Sequence, residues 1–400
     1  MAAYSIHTIT CIGFCFPGKA LANDAGDVGG KLINSDSCRS NAVKATKTLA
    51  VSYNSARRLL AGTVLVTDSN ILNGLTLYNW VCDTDSISST VCGASLTLGF
   101  KGTKLLTLLV DNVHLESTAA SRCPIIAWSV NGGSIHTHQL RSAETSVLLA
   151  SDVTNPIIDL YIKGMSPFED RYSGNLPPNS VKITGFVLDP GGSTMGAPQS
   201  GKVWLNIGDS IMSGDAARYA ANQGRTADDN WAAADDGRAS YGHLLAKHYG
   251  YREIRLAYGG YDWDGVANLP PLTTLIDQNT STISRLSNGF LEPKPDVVLI
   301  NLGENGAPTL TSVFQALAKI RSRVDPATKI IVMVPASGKA RTELTQSFRS
   351  YTNSTHDARM FLVDLGALTF ATADGTHPTA DGHLSIYRAA LPVLDSIISK

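Results

Sequence analysis

From Lys202 to the C-terminus, short apolar runs alternate with segments of helical pattern. "KVWLNI", "YREIRLA", "PDVVLIN", "KIIVMVPA" and "RMFLVDLG" read as strands. "SYGHLLAKHYG", "TSVFQALAKIRSRV", "ARTELTQSFRSYTN" and the closing "ADGHLSIYRAALPVLDSIISK" read as helices. Strands separated by helices return in the same direction, so the alternation predicts a parallel α/β sheet. Functional groups in such a sheet gather beyond the carboxyl ends of the strands.

The first half of the chain has a different pattern. Runs rich in Val, Ile, Leu and Thr recur without helical period: "KTLAVSY", "GTVLVT", "ASLTLGF", "KLLTLLVDN", "PIIAWSV", "TSVLLA", "IIDLYIKG" and "SVKITGFVLD". Gly, Asn, Asp and Ser punctuate them, which predicts an all-β sandwich or jelly roll. "DPGGSTMGAPQSG" lacks bulky aliphatics and reads as a linker. With 400 residues, two domains are expected: a β domain over 1–189, a linker over 190–201 and an α/β domain over 202–400.

The formal net charge is −1 and no dense Lys/Arg block is present, so neither nucleic acid nor an anionic membrane is the expected partner. No apolar run approaches the ~20 residues a membrane span needs. "YSIHTITCIGFCFPGKALA" has no Lys or Arg before its apolar part and reads as a first strand rather than a signal peptide. All six cysteines, Cys11, Cys15, Cys38, Cys82, Cys92 and Cys123, lie in the first half. They suit either disulfides in an oxidising compartment or buried free thiols, and Cys82 and Cys92 could close a hairpin around "DTDSISSTV". No Cys-x-x-Cys pair occurs, and no metal or other cofactor is expected.

"WLNIGDSIMSG" runs a buried strand straight into Gly208, Asp209 and Ser210. A serine at a strand end, ahead of a helix, is presented as a nucleophile is. It needs an imidazole to take its proton, a group to orient that imidazole, and donors for the oxyanion. "DGTHP" offers Asp374 and His377 just before the last helix, and Asn305 follows the third strand.

Together these segments resemble the SGNH hydrolases, the GDSL esterase superfamily. "IGDSIMSG", "LAYGGYDWDG", "VLINLGENG" and "DGTHPTADGH" match its motif blocks in order across residues 202 to 400. The resemblance implies a flavodoxin-like three-layer α/β/α domain with Ser210, Asp374 and His377 as triad. It also implies oxyanion donors from the Ser210 N–H, Asn305 and a glycine, aligned as Gly260 with Gly259 the alternative. The sequence departs from the pattern at Glu304, expected to point away from Ser210, and at Gly306, where an Asp often stands. A β domain before such a unit resembles the two-domain carbohydrate acetylesterases.

The implied function is a serine esterase removing small acyl groups, acetyl first, from a carbohydrate. The alternatives are a general carboxylesterase or lipase-like enzyme, and an inactive hydrolase fold used for binding or attachment. Tyr261 and Trp263 are candidates for the acyl or sugar pocket, with core packing the other reading. Asp209 is a substrate-binding candidate or a helix cap. His136 and His138 are expected to face solvent, His243 and His248 to be ordinary helix residues, and His383 to be the weaker base candidate. Asp215, Asp235 and Asp236 are expected in solvated loops, the last two in a polar surface insert, "NQGRTADDNWAAADDGRASYG".

Overall fold

The structure is a computed structural model and describes residues 63–66, 68, 71, 79–196, 201–224, 226, 229–266, 268–285 and 294–399. The expected first strand in "YSIHTITCIGFCFPGKALA", the run "KTLAVSY", and Cys11, Cys15 and Cys38 lie outside the described residues.

Among the described residues, the first half forms two antiparallel sheets. One contains β1 (Thr63–Leu65), β2 (Val81–Cys82), β3 (Ile87–Ser89), β5 (Leu106–Val110), β8 (Ser146–Ala150) and β10 (Val181–Leu188). The other runs in the order β11 (Ser193–Met195), β4 (Ser95–Lys101), β9 (Ile157–Gly164), β6 (Ile125–Val130), β7 (His136–Gln139). The alternation seen in sequence is the alternation of faces: Leu106, Leu108 and Val110 are buried, while Thr107 and Leu109 are half-buried. Side chains of both sheets share one core, with Phe100 of β4 edge-on to Phe186 of β10 at 5.2 Å, so the unit is a sandwich.

Two expectations need correction. Ser193–Met195, assigned to the linker, pairs with β4 as an edge strand. Cys82 and Cys92 are free thiols. The β2–β3 hairpin is held by backbone pairing, and the Cys92 thiol donates to Lys163 O at 3.0 Å. Burial pushes the Cys82 thiol up to about 11 and is the main cause holding Cys92 at about 12.

The second half is a five-stranded parallel sheet: β12 (Val203–Gly208), β13 (Arg252–Ala257), β14 (Val297–Asn301), β15 (Lys329–Met333) and β16 (Met360–Val363), in the order β13-β12-β14-β15-β16. Its helices are α1 (Ser210–Ser213), α2 (Trp231–Ala234), α3 (Tyr241–His248), α4 (Leu272–Leu275), α5 (Leu310–Arg323), α6 (Arg341–Thr355) and α7 (Ala380–Ile398). Every residue of β12 is buried, as a strand covered on both faces requires. Val203, Leu205 and Ile207 pack with α4, α5 and α6; Trp204 packs on the other face with α1, α3 and α7. This is the flavodoxin-like order, in which the winding reverses between β12 and β14 and a crevice opens beyond their carboxyl ends.

The later part of the insert, from Trp231 onward, is not a solvated loop. Asp235 and Asp236 are buried, as is Asp215. Asp236 pairs with Arg218 Nε at 2.8 Å, and Asp235 accepts Ala216 N–H at 2.8 Å. Lys163 of the β domain donates to Ala233 O and Asp235 O at 2.7 and 2.6 Å. These carboxylates are buried because the insert is wedged between the domains, where Asp235 and Asp236 find donors.

Arg255, on β13, is 1% exposed and lies at the same junction. Its Nε and Nη2 pair with Glu253 Oε1 at 2.8 and 2.5 Å, and it donates to Cys92 O at 3.3 Å across the domains. Glu253 is largely enclosed, which would raise its pKa; the Arg255 charge and bonds from His243 and Asn206 outweigh this and hold it at about 2. Arg255→Ala leaves that carboxylate buried without its guanidinium, and is expected to cost ~3–5 kcal/mol at pH 7. Glu253 has a depressed pKa, so its paired contribution is complete above about 4.5 and lost as pH falls toward about 2. Thermal unfolding of both proteins should show the gap narrowing through that window; a constant gap would count against the pair.

Candidate active site

Gly208 ends β12, and α1 turns back immediately over it. A Cβ at Gly208 would lie 2.3 Å from Met212 Cβ, so only glycine permits so tight a strand-to-helix turn. Asp209 caps α1, accepting Ile211 N–H at 2.9 Å, and Ser210 is its first residue. The motif therefore fixes the serine at the carboxyl end of β12, beside the switch point.

His377 reaches this serine from the other side of the crevice, its Nε2 2.9 Å from Ser210 Oγ. Its Nδ1 lies 2.8 Å from Asp374 Oδ2. Asp374 Oδ1 also accepts the backbone N–H groups of His377 and Thr376 at 2.8 and 3.1 Å, and Ala373 N–H donates to His377 O at 2.8 Å. The Asp-x-x-His spacing thus closes a loop on its own carboxylate. Burial would raise the Asp374 pKa, but the His377 N–H bond, the imidazole and Thr376 N–H outweigh it and hold the carboxyl below its ordinary range. An ionised carboxylate keeps the imidazole proton on Nδ1 and leaves Nε2 to accept the serine proton.

Asn305 follows β14 on the opposite wall. Its Nδ2 donates to Tyr261 O at 3.0 Å and to Asp209 Oδ2 at 3.3 Å. Glu304 beside it turns away: its carboxylate takes Ser337 Oγ at 2.6 Å and Lys339 Nζ at 2.8 Å. Gly260 has φ +72° with open space where a Cβ would sit. A Cβ at Gly259 would instead lie 3.3 Å from Pro167 Cβ and from Asp215 Oδ2. The fold therefore brings Ser210, His377 and Asp374 together, with Asn305 tied to Asp209 beside them.

Other candidates take different positions. Trp263 and Tyr261 are core residues: the Trp263 indole donates to Leu302 O at 3.2 Å, and the Tyr261 hydroxyl to Pro270 O at 3.1 Å. Neither offers a ring face to a ligand, because β13 and α4 cover them. Asp209 is buried beneath the serine, where it bonds to Ile211 and Asn305 rather than facing a substrate. His383 is fully enclosed on α7, its Nδ1 accepting Tyr241 N–H at 3.3 Å. Burial first, then the charges of Arg255 and His377, push its pKa down to about 3. His138 pairs with Glu144 at 2.7 Å and His136 stacks on Trp128. Among the described residues no cluster suits a metal ion.

Sequence reasoning missed the part of the β domain that packs on the glycine loop. The segment between β9 and β10 lies on the glycine loop: Pro167 meets Gly259, and Arg171 lies over the Tyr258 ring at 5.1 Å. Tyr172 O accepts Ser281 N–H at 2.8 Å, and Thr282 Oγ1 donates to Asn175 Oδ1 at 2.6 Å. An open groove of about 780 Å³ runs there, walled by Tyr172 and Ser173 on one side and Asp264, Gly265, Leu269 and Pro270 on the other. No spacing within "MSPFEDRYSGN" signals this, because the contacts are all long-range.

No family model matches the chain, and no curated protein matches its sequence. Solved structures do match in fold. A family two carbohydrate esterase from Cellvibrio japonicus superposes with TM-score 0.67 at 18% identity, over 84% of this chain and 98% of that one. The acetyl xylan esterase Est2A from Butyrivibrio proteoclasticus gives 0.66 at 15%, over 84% and 98%. A family two carbohydrate esterase from Clostridium thermocellum, in complex with cellohexaose, gives 0.64 at 16%, over 80% and 98%. The chain thus shares the fold of these structures over most of its length, with its parallel α/β domain preceded by a β sandwich.

A fluorophosphonate probe should label one residue, Ser210, since the serine nearest an imidazole is the activated one. Intact-protein and peptide mass spectrometry check this; His377→Ala should slow labelling severely. Equal labelling of Ser210→Ala would remove Ser210 from the site.

Proposed function

We propose that the protein is a serine esterase that removes acetyl groups from a carbohydrate. The observation that carries this reading is the relay Asp374–His377–Ser210, with contacts of 2.8 and 2.9 Å. Its carbohydrate part is supported by the shared architecture with carbohydrate esterases and by the groove walled by both domains.

In this reading His377 Nε2 takes the Ser210 proton as Oγ attacks the acetyl carbonyl. Asp374 stabilises the imidazolium that forms. The carbonyl oxygen becomes an oxyanion and meets the N–H groups of Ser210 and Gly260 and the Asn305 amide. The tetrahedral intermediate collapses, the sugar oxygen leaves with the proton from His377, and an acetyl-serine remains. Water, deprotonated by His377, then attacks the acyl carbon and releases acetate. Asn305 donates to charge that exists mainly in the transition state, so its contribution falls on kcat rather than KM.

Acetate release from a panel of acetylated polysaccharides tests the activity and its substrate class. Ser210→Ala should lower kcat by at least ~10³-fold, His377→Ala nearly as much, and the double variant little further, since the two act as a unit. Asn305→Ala should cost ~10²–10³-fold in kcat with KM nearly unchanged. Asn305→Asp should be worse, because it faces the oxyanion with negative charge. A chain-length series from acetate to decanoate should favour acetate; preference for the longer esters would replace the carbohydrate reading with a general carboxylesterase. Full turnover by Ser210→Ala would end the serine mechanism.

A further inference from the structure

The two oxygens of the Asp209 carboxylate do different things. Oδ1 accepts Ile211 N–H at 2.9 Å and caps α1, while Oδ2 accepts Asn305 Nδ2 at 3.3 Å. We propose that Asp209 is a positioning residue that sets which end of the Asn305 amide faces the oxyanion and ties it to the turn carrying Ser210. This rests on the reading of Asn305 as an oxyanion donor.

The two ends of a side-chain amide are nearly the same size and shape, so only its neighbours decide which end points where. Here both neighbours of Nδ2 are acceptors: the Tyr261 carbonyl at 3.0 Å and the Asp209 carboxylate at 3.3 Å. A flipped amide would set Oδ1 against both and could give the oxyanion nothing. The Asp209 bond is at the long end of the hydrogen-bond range, so that N–H can turn toward developing charge at small cost while Tyr261 O keeps the other. Asp209 thus holds the donor on the correct side without binding it tightly.

Capping alone does not account for the residue. Asn and Ser cap as well as Asp, with no charge to bury. Asp209 is 1% exposed and its charge lies near the Glu304 and Asp215 carboxylates and the Tyr241 phenol. Burial first, then Glu304 and Asp215, raise its pKa to about 7, against N–H bonds from Ile211 and Met212. Keeping an ionised carboxylate here lowers stability, a cost accepted at sites that serve function.

The test measures kcat, KM and Tm at pH 8 with a chromogenic acetyl ester, for Asp209→Asn, Asp209→Ser, Asn305→Ala and the double variant Asp209→Asn with Asn305→Ala. In Asp209→Asn the new amide would still cap α1 but would turn a donor toward Asn305 and favour the wrong end of it. Asp209→Asn should lower kcat at least ~10-fold with KM unchanged. Its Tm should equal or exceed wild type, because the raised pKa makes wild type lose stability as pH rises from about 4 to about 7 and asparagine does not. Asp209→Ser caps but is too short to reach Asn305, and should also lose kcat. In the Asn305→Ala background, Asp209→Asn should cost nothing further.

Full kcat in Asp209→Asn and Asp209→Ser would overturn the proposal while leaving the oxyanion reading intact. Losses that multiply in the double variant would also overturn it, by placing the Asp209 effect elsewhere. Unchanged kcat in Asn305→Ala would remove the oxyanion reading itself, and the proposal with it.

Discussion

The buried Arg255–Glu253 pair is the interaction on which the rest of this molecule depends. A guanidinium in the interior must direct its donors at fixed acceptors, and the acceptors here come from four parts of the fold. Besides Glu253 it takes Cys92 O from the β domain, Ser213 O from the end of the nucleophile helix, and Gly237 O and Ser240 Oγ from the insert. Ser240 in turn caps α3. One side chain therefore sets the position of α1, the helix carrying Ser210, relative to the insert and to the β domain. A second bridge, Arg238 to Asp159 through both carboxylate oxygens, reinforces the same junction.

The reactive crevice shows how environment divides chemically similar groups. Asp374 is held ionised by backbone N–H groups and an imidazole. Asp209, next to Ser210, is enclosed with carboxylates for neighbours and is raised to about 7. Glu304 is led away from Ser210 by Ser337 and Lys339. Three carboxylates around one serine thus take three distinct roles, set by burial and by which donors each can reach.

The β domain is more than an appendage in this arrangement. Its segment between β9 and β10 lies on the glycine loop and forms one wall of the open groove at the domain junction. This ties the shape of that groove to the stability of the domain junction.

Much of this was determined by the sequence alone. Alternating apolar and helical patterns specify the parallel sheet, because a strand followed by a crossover helix returns parallel to its neighbour. Gly208-Asp209-Ser210 and Asp374-x-x-His377 carry their local geometry within a few residues: a glycine-only turn, a cap, and a carboxylate folding back on its own loop. What required tertiary structure is whatever depends on a partner far along the chain. Ser210 and His377 are 167 positions apart, and only the strand order brings them to 2.9 Å. Trp263 and Tyr261 are aromatic beside a motif and look available, yet their surroundings bury them. Asp215, Asp235 and Asp236 sit in polar stretches and look solvated, yet the closing of two domains encloses them, with donors for Asp235 and Asp236. Burial is a property of the neighbours a residue acquires, and local sequence does not name those neighbours.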